Sequence, residues 1–297
     1  MVHRFWVRLA LVVGILIAVN AAQAPQAAVD RPAYGILYTA WIHPSEPWAK
    51  VRIRIRRHPE WVRWMRLKID PVRYKKFRGS GEIAVDGVSV LWRPPAEDAY
   101  LDYRVLLESR RESGAYDGMV TDSWALFRGD DLIPPVRLDM EDGTQAEAKL
   151  SLKLPDGWGA ATPYPRYKSG PFRVDNPRRL FDRPTGWMLV GKIGSRRERI
   201  GPTRVTVAAP IGQGARRMDI LALLRWTLPT LQSLFPAFPE RLLIVSAGDP
   251  MWRGALSGPR SLFVHADRPL ISENATSTLL HELVHVAMGA RGAPGAD

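Results

Sequence analysis

The stretch "VRIRIR", residues 51–56, alternates β-branched apolar residues with arginines. Successive side chains of a β-strand point to opposite faces, so this period-two pattern predicts a strand that is buried on one side only. A helix would instead spread the three arginines around its surface. The stretch therefore predicts a sheet with an apolar face turned inward and a strongly basic face turned to solvent.

The same period extends outward from this stretch, from about residue 34 to residue 155. "WMRLKID" continues the alternation, and "GEIAVDGVSVLW" places Asp86-Gly87 between two apolar runs, which is typical of a tight hairpin. "AYLDYRVLLE", "SWALFR" and "QAEAKLSLKLP" indicate further strands. Proline, glycine and aromatic residues then crowd together up to about residue 175, where we place a domain boundary. Residues 31–175 are thus predicted to form a β-rich, sandwich-like domain.

Helices enter the pattern only after this boundary. "GWMLVGKIG", "TRVTVAAP" and "RLLIVSAG" indicate strands, while "RRMDILALLRWTLPTLQSLFP" and "SENATSTLLHELVHVAMGA" indicate helices. We expect Ser272 or Asn274 to cap the second helix, Glu273 to lie in its first turn, and its many apolar residues to bury it on most sides. Strands followed by helices predict the α+β class, with residues 176–297 as a second domain.

Composition narrows the chemistry and the location. The chain has no cysteine, which excludes disulfides and thiolate metal sites, so a metal would be held by histidine and carboxylate. The net charge of +12 favours anionic partners without defining a reaction. Residues 1–24 combine basic residues, an apolar run and small residues, which predicts a signal peptide or an uncleaved N-terminal anchor. We therefore expect an exported protein that is periplasmic or anchored in the inner membrane through this segment.

The last predicted helix carries the pattern His-Glu-x-x-His at His281, Glu282 and His285. Helical positions four apart share a face, so the two imidazoles can hold one Zn²⁺ ion together. Glu282 lies roughly 100° further round, where it can take a proton from zinc-bound water that attacks a peptide carbonyl. The pattern predicts His281 and His285 as metal ligands and Glu282 as the catalytic base. The alternative is a pair of histidines on a helix surface or in a satisfied core position.

The stretch "TLLHELVHVAMG", with Gly289 four positions after the second histidine, resembles the motif helix of gluzincin metallopeptidases, in particular aminopeptidase N-type and glycyl aminopeptidase-like enzymes. A β-rich domain ahead of the motif and the stretch "LSLKLPDGW" are similar to the layout of those enzymes. The resemblance implies a thermolysin-like mixed α/β domain over residues 176–297 and zinc-dependent hydrolysis of peptide or protein substrates. It also implies that the third zinc ligand, a glutamate on the next helix, falls past Asp297. By this resemblance we expect a chain that stops after the motif helix and is incomplete as a peptidase.

The stretch "GALSG", residues 254–258, invites a second comparison. Gly254 and Ala255 match the start of the Gly-Ala-Met-Glu-Asn segment of aminopeptidase N-type enzymes, which implies a substrate-binding role for both residues. Ser257 replaces the glutamate that binds the free amine there, so the resemblance leaves exopeptidase specificity in doubt. The alternative is a glycine-rich turn that leads into a strand. Two other residues were considered as the third zinc ligand, and neither is favoured. We interpret His265 as an ordinary residue at a strand end, and Asp297 is the last residue of a glycine-rich tail.

A basic stretch offers a rival function. Eleven lysines and arginines lie between Arg52 and Arg78, interleaved with aromatic residues. Strand alternation explains most of them as a solvated face, and no nucleic-acid module accompanies them, so we expect no specific nucleic-acid partner. The rival interpretation is a non-catalytic exported binding module that uses this basic face. The sequence makes no prediction about the oligomeric state.

Overall fold

The computed structural model of this protein describes residues 31–166, 168–175 and 181–289. The predicted signal peptide or anchor over residues 1–24 lies outside the described residues. Among the helices of the described part, none is both long and apolar enough to cross a bilayer.

The strand predicted from "VRIRIR" is β2, and its faces divide as expected. Val51, Ile53 and Ile55 are buried, whereas Arg52 and the other arginines of the stretch reach towards solvent. β2 lies inside a six-stranded sheet, here called sheet A, with the order β14-β12-β1-β2-β7-β4. Its strands are β1 (Ala33–Trp41), β2 (Trp48–Arg57), β4 (Tyr74–Gly79), β7 (Tyr100–Leu106), β12 (Gln145–Lys153) and β14 (Phe172–Val174).

A second sheet of four strands, sheet B, packs against sheet A. Its order is β11-β3-β6-β5, and side chains of both sheets, among them Ile53 and Trp92, share one hydrophobic cluster. The hairpin predicted at Asp86-Gly87 is confirmed: the Asp86 amide donates to the Ser89 carbonyl at 3.1 Å, and Gly87 has a φ of 86° that favours glycine. The strands of sheet B are β3 (Val62–Lys68), β5 (Glu82–Val85), β6 (Ser89–Arg93) and β11 (Val136–Met140).

The solvent-facing side of sheet A contains one buried acid, Asp102. Asp102 is 2% exposed. Its carboxylate accepts hydrogen bonds from Arg52 Nε at 2.6 Å and Arg52 Nη2 at 2.8 Å, and Lys50 Nζ lies 3.6 Å away. Burial acts to raise the pKa of Asp102, but the hydrogen bonds and positive charge of Arg52 outweigh it and leave that pKa below the ordinary value. Asp102 therefore holds the basic face together as a charged group.

Replacing Asp102 by asparagine should lower the free energy of unfolding at pH 7 by about 1.5–3 kcal/mol, the usual contribution of hydrogen bonds to charged groups. Because the folded-state pKa is depressed, this contribution is present above the ordinary pKa of 3.8 and is lost as the pH falls through the folded-state value. Urea unfolding of both proteins at several pH values should show the difference shrinking in acid. Asp142→Asn, in an exposed turn, is the matched control. A difference that stays constant down to low pH would contradict this assignment.

Two further sheets of five strands follow. Sheet C has the order β13-β15-β10-β9-β8, and sheet D has the order β16-β17-β18-β20-β19. Sheet C consists of β8 (Ser109–Arg110), β9 (Tyr116–Val120), β10 (Trp124–Arg128), β13 (Gly159–Ala161) and β15 (Trp187–Gly191). Sheet D consists of β16 (Ile193–Ile200), β17 (Thr203–Pro210), β18 (Arg241–Ala247), β19 (Ala255–Gly258) and β20 (Ser261–His265). The helices are α1 (Gly129–Leu132), α2 (Arg217–Leu234) and α3 (Thr278–Gly289).

Sheet D is covered on both faces. Helices α2 and α3 pack on one face through a cluster that includes Leu242 and Ile244, and sheet C packs on the other through a cluster that includes Leu243 and Val245. This double coverage explains why "RLLIVSAG" is an unbroken apolar run: six of the seven residues of β18 are buried. Strands β17, β18 and β20 run parallel, and β19 pairs antiparallel with β20 as the edge strand.

The described part of the chain is mainly β-sheet, with its two longer helices near the carboxyl end. The described residues from Ala33 onward cluster as one compact unit. The predicted division near residue 175 stays a prediction. Strand β15, which follows that position, pairs with β10 and β13, which precede it.

Candidate functional site

Helix α3 begins later than the sequence predicted. Its first residue is Thr278, and Ser277 caps it: the Ser277 carbonyl accepts from the His281 amide at 3.0 Å and the Ser277 hydroxyl accepts from the Leu280 amide at 3.3 Å. The predicted caps Ser272 and Asn274 instead bond each other within the preceding turn, at 2.5 Å. The prediction of the cap was wrong because these side chains form hydrogen bonds within a local turn. Such bonds offer the backbone an alternative to helical structure.

The burial of α3 was also predicted wrongly. Leu279, Leu283 and Val286 are buried on the sheet, but His281 and His285 are exposed and Met288 is 54% exposed. A helix that lies on one face of a sheet buries only the stripe turned towards it, whatever the hydrophobicity of its other positions. The two histidines therefore stand on the open side of the helix, where a ligand can reach them.

The two imidazoles point at each other across one helical turn. His281 Nε2 and His285 Nε2 are 3.0 Å apart, and the ring centroids are 4.7 Å apart with an interplanar angle of 77°. At this separation one neutral ring can donate a hydrogen bond to the other. The same convergence suits a shared cation, because two nitrogens bound tetrahedrally at about 2.0–2.1 Å lie about 3.3 Å from each other. The structure thus brings together the two side chains that the sequence named as ligands.

Glu282, unlike the two histidines, is buried. It is 9% exposed, and its Oε2 accepts a hydrogen bond from the backbone amide of Ser257 at 2.7 Å. Ser257 lies in the edge strand β19, so this bond ties the motif helix to the sheet. One carboxylate oxygen is thereby fixed, which orients the group, while the second oxygen has no hydrogen bond from the described residues.

The stretch "GALSG" lies directly against the motif helix. Ala255 is buried and begins β19, and the ring of Trp252 crosses Gly254 so closely that a Cβ there would lie 2.2 Å from it. A side chain at position 254 would force the Trp252 ring to move. The contact of this stretch with Glu282 is made by Ser257, and the predicted binding role of Gly254 and Ala255 stays a prediction.

Two residues that the sequence did not single out hold β19 in place. Trp187 Nε1 donates to the Leu256 carbonyl at 2.8 Å, and Arg128 Nη2 donates to the Ser257 carbonyl at 3.0 Å. The Arg128 guanidinium also lies over the Trp187 ring, 5.2 Å from its centroid. Both anchors come from sheet C, a long way along the chain from β19. No local pattern in the sequence signals them, because they act through tertiary contact.

His265 ends β20, the strand-end position that the sequence predicted, and is 1% exposed. Its Nδ1 accepts from the Asp267 amide at 3.2 Å, and its Nε2 lies 3.5 Å from Asp249 Oδ1. Within the described ranges, no group of three or more histidine, aspartate or glutamate side chains is arranged to hold a metal ion. Of the protein ligands expected for zinc, the described residues supply the histidine pair.

The chain as a whole was compared with solved structures, and its fold is similar to a known one. An aminopeptidase N family protein from Idiomarina loihiensis superposes with a TM-score of 0.62 at 15% sequence identity, over 84% of this chain and 47% of that one. The two proteins share a fold. This chain spans about half the length of that aminopeptidase N family protein.

A second solved structure, Legionella pneumophila aminopeptidase A in complex with aspartic acid, matches with a TM-score of 0.48 at 11% identity, over 90% of this chain and 34% of that one. No protein-family profile matches the sequence. No curated protein matches it either.

Proposed function

We propose that this chain belongs to a zinc-dependent, aminopeptidase-like metallopeptidase that hydrolyses peptide bonds. The observation that carries the proposal is the convergence of His281 Nε2 and His285 Nε2, 3.0 Å apart on the open face of α3. It is supported by a carboxylate from the same motif, Glu282, which is fixed against an edge strand. The fold shared with an aminopeptidase N family protein supports the same reaction class.

The two imidazole donors, His281 and His285, suit zinc. Two imidazole nitrogens in helical i, i+4 relation are ordinary zinc ligands, and catalytic zinc sites usually have three protein ligands and one open position. The third ligand is absent from the described residues, and we propose that it is a carboxylate beyond them. When bound, zinc lowers the pKa of its water to about 7 and polarises a carbonyl.

The residues of this chain have separate tasks in the proposed reaction. His281 and His285 would hold the zinc ion. Glu282 takes the proton from the attacking water and delivers it to the leaving amine, for which its unbonded oxygen is available. The Ser257 amide keeps the carboxylate pointing in one direction, so that less orientation has to be gained during the reaction.

Metal binding tests the first step directly. Titration of the chain with Zn²⁺ should show one site, and His281→Ala or His285→Ala should each weaken it at least about tenfold, since loss of even outer-shell partners costs about 10–100-fold. His43→Ala removes an exposed histidine elsewhere and should leave the affinity unchanged. Equal zinc affinity in the wild type and in the double variant of His281 and His285 would refute the proposed site.

A further inference from the structure

Three arginines form a row across neighbouring strands of sheet D. Arg199 of β16 is paired with Arg204 of β17, and Arg204 is paired with Arg241 of β18. Directly paired residues of adjacent strands project from the same face, about 5 Å apart. These three residues, here called the arginine row, therefore place three positive charges side by side at the end of the sheet where β17 and β18 begin.

The row lacks the counter-charges that such crowding calls for. Like charges directly opposite each other destabilise a sheet. The nearby carboxylates are engaged elsewhere: Glu198 binds Arg225 at 2.6 and 3.0 Å, and Asp175 binds Arg173 and Arg260 at 2.7 and 3.0 Å. Among the described residues, no carboxylate lies within ion-pair distance of the arginine row.

The row also lines a cavity that is open to solvent. The cavity has a volume of about 220 Å³, and Pro202 and Glu240 complete its lining. Arg241 is half-buried, and its pKa is lowered by that burial and by the positive charge of Arg204, which together outweigh the opposing charge of Asp175. A cation that is partly withdrawn from water and lies beside other cations is stabilised by an anion.

We propose that the arginine row is a binding site for a phosphate group, carried by a small free anion or by a lipid headgroup. Guanidinium groups present paired N–H donors that match the oxygens of phosphate, and three of them converge on one cavity here. With three arginines and one glutamate, the lining keeps a net positive charge. The site lies at the amino ends of β17 and β18, whereas the motif helix follows the carboxyl end of β20, so the proposal is independent of the proposed function.

Phosphate binding is measured with inorganic phosphate and pyrophosphate at constant ionic strength, by calorimetry and by the rise in Tm that a ligand of the folded state causes. We expect saturable binding by the wild type and at least tenfold weaker binding by Arg241→Gln and by Arg204→Gln. Without anion, Arg241→Gln should unfold at the same temperature as the wild type or higher, because it relieves repulsion. This second readout separates loss of a ligand from loss of the fold.

Arg196→Gln is the matched control, since it removes the same charge from an exposed position on the opposite face of β16. Flotation with vesicles that contain or lack phosphatidic acid distinguishes the two sources of the phosphate. Binding to vesicles with phosphatidic acid but not to free phosphate would assign the site to a lipid headgroup, provided that Arg241→Gln abolishes the binding. Absence of saturable binding to every probe, or equal weakening in Arg196→Gln, would overturn the proposal.

Discussion

Replacing Trp187 by alanine should lower the free energy of unfolding by about 3–5 kcal/mol, the usual cost of truncating a buried tryptophan. Trp187 is fully buried between sheets C and D, with its ring 5.4 Å from that of Phe263. Its removal leaves a cavity and deprives the Leu256 carbonyl of the Nε1 donor. Urea unfolding followed by far-UV circular dichroism measures the change.

The loss should also reach the site, because Trp187 holds the strand that orients Glu282. Trp187→Phe keeps most of the ring volume but removes the Nε1 donor, so it should fall between the wild type and alanine. Trp226→Ala makes the identical change at a residue that is 86% exposed, and should shift stability by less than about 0.5 kcal/mol. If Trp187→Ala cost no more than Trp226→Ala, the junction of sheets C and D would not depend on this side chain.

Local periodicity was sufficient to predict β2, the hairpin at Asp86-Gly87 and the two longer helices. The alternation at Val51, Ile53 and Ile55 sets the inward face of β2, and the Asp86-Gly87 pair gives the turn that the structure contains. Both signals act over a few residues. The pairing of β10 with β15 could not be predicted, because their partnership depends on how distant apolar strands share a core.

The candidate site also has features that local sequence determines and features that depend on distant contacts. The spacing of His281 and His285 sufficed to place both rings on one face, because helical geometry alone determines it. The hydrogen bond from the Ser257 amide to Glu282 is different, since it needs the edge strand and the helix to meet in space. The sequence could name the candidate residues, but Glu282 is oriented through β19, whose backbone Trp187 and Arg128 bind.

In the zinc-loaded protein, Glu282→Gln should reduce peptide hydrolysis by about 10²–10⁴-fold, the range expected when a general base is removed. Glutamine retains an oxygen that accepts from the Ser257 amide, so the helix and the zinc affinity should be unaffected. The assay compares aminoacyl substrates with internally quenched peptides, which also shows whether a free amino terminus is required. A retained fold with lost turnover would assign the proton transfer to this carboxylate.

Two variants sharpen that assignment. Glu273→Gln makes the same change at an exposed residue before the helix and should retain full activity. Glu282→Asp keeps a carboxylate but draws it back by one methylene, away from the Ser257 amide, so its activity should fall between those of the wild type and Glu282→Gln. Zinc-dependent turnover in Glu282→Gln within threefold of the wild type would exclude the carboxylate as the base. Zinc binding without turnover in the wild-type chain would show that the histidine pair and Glu282 do not suffice and that hydrolysis also needs the third protein ligand.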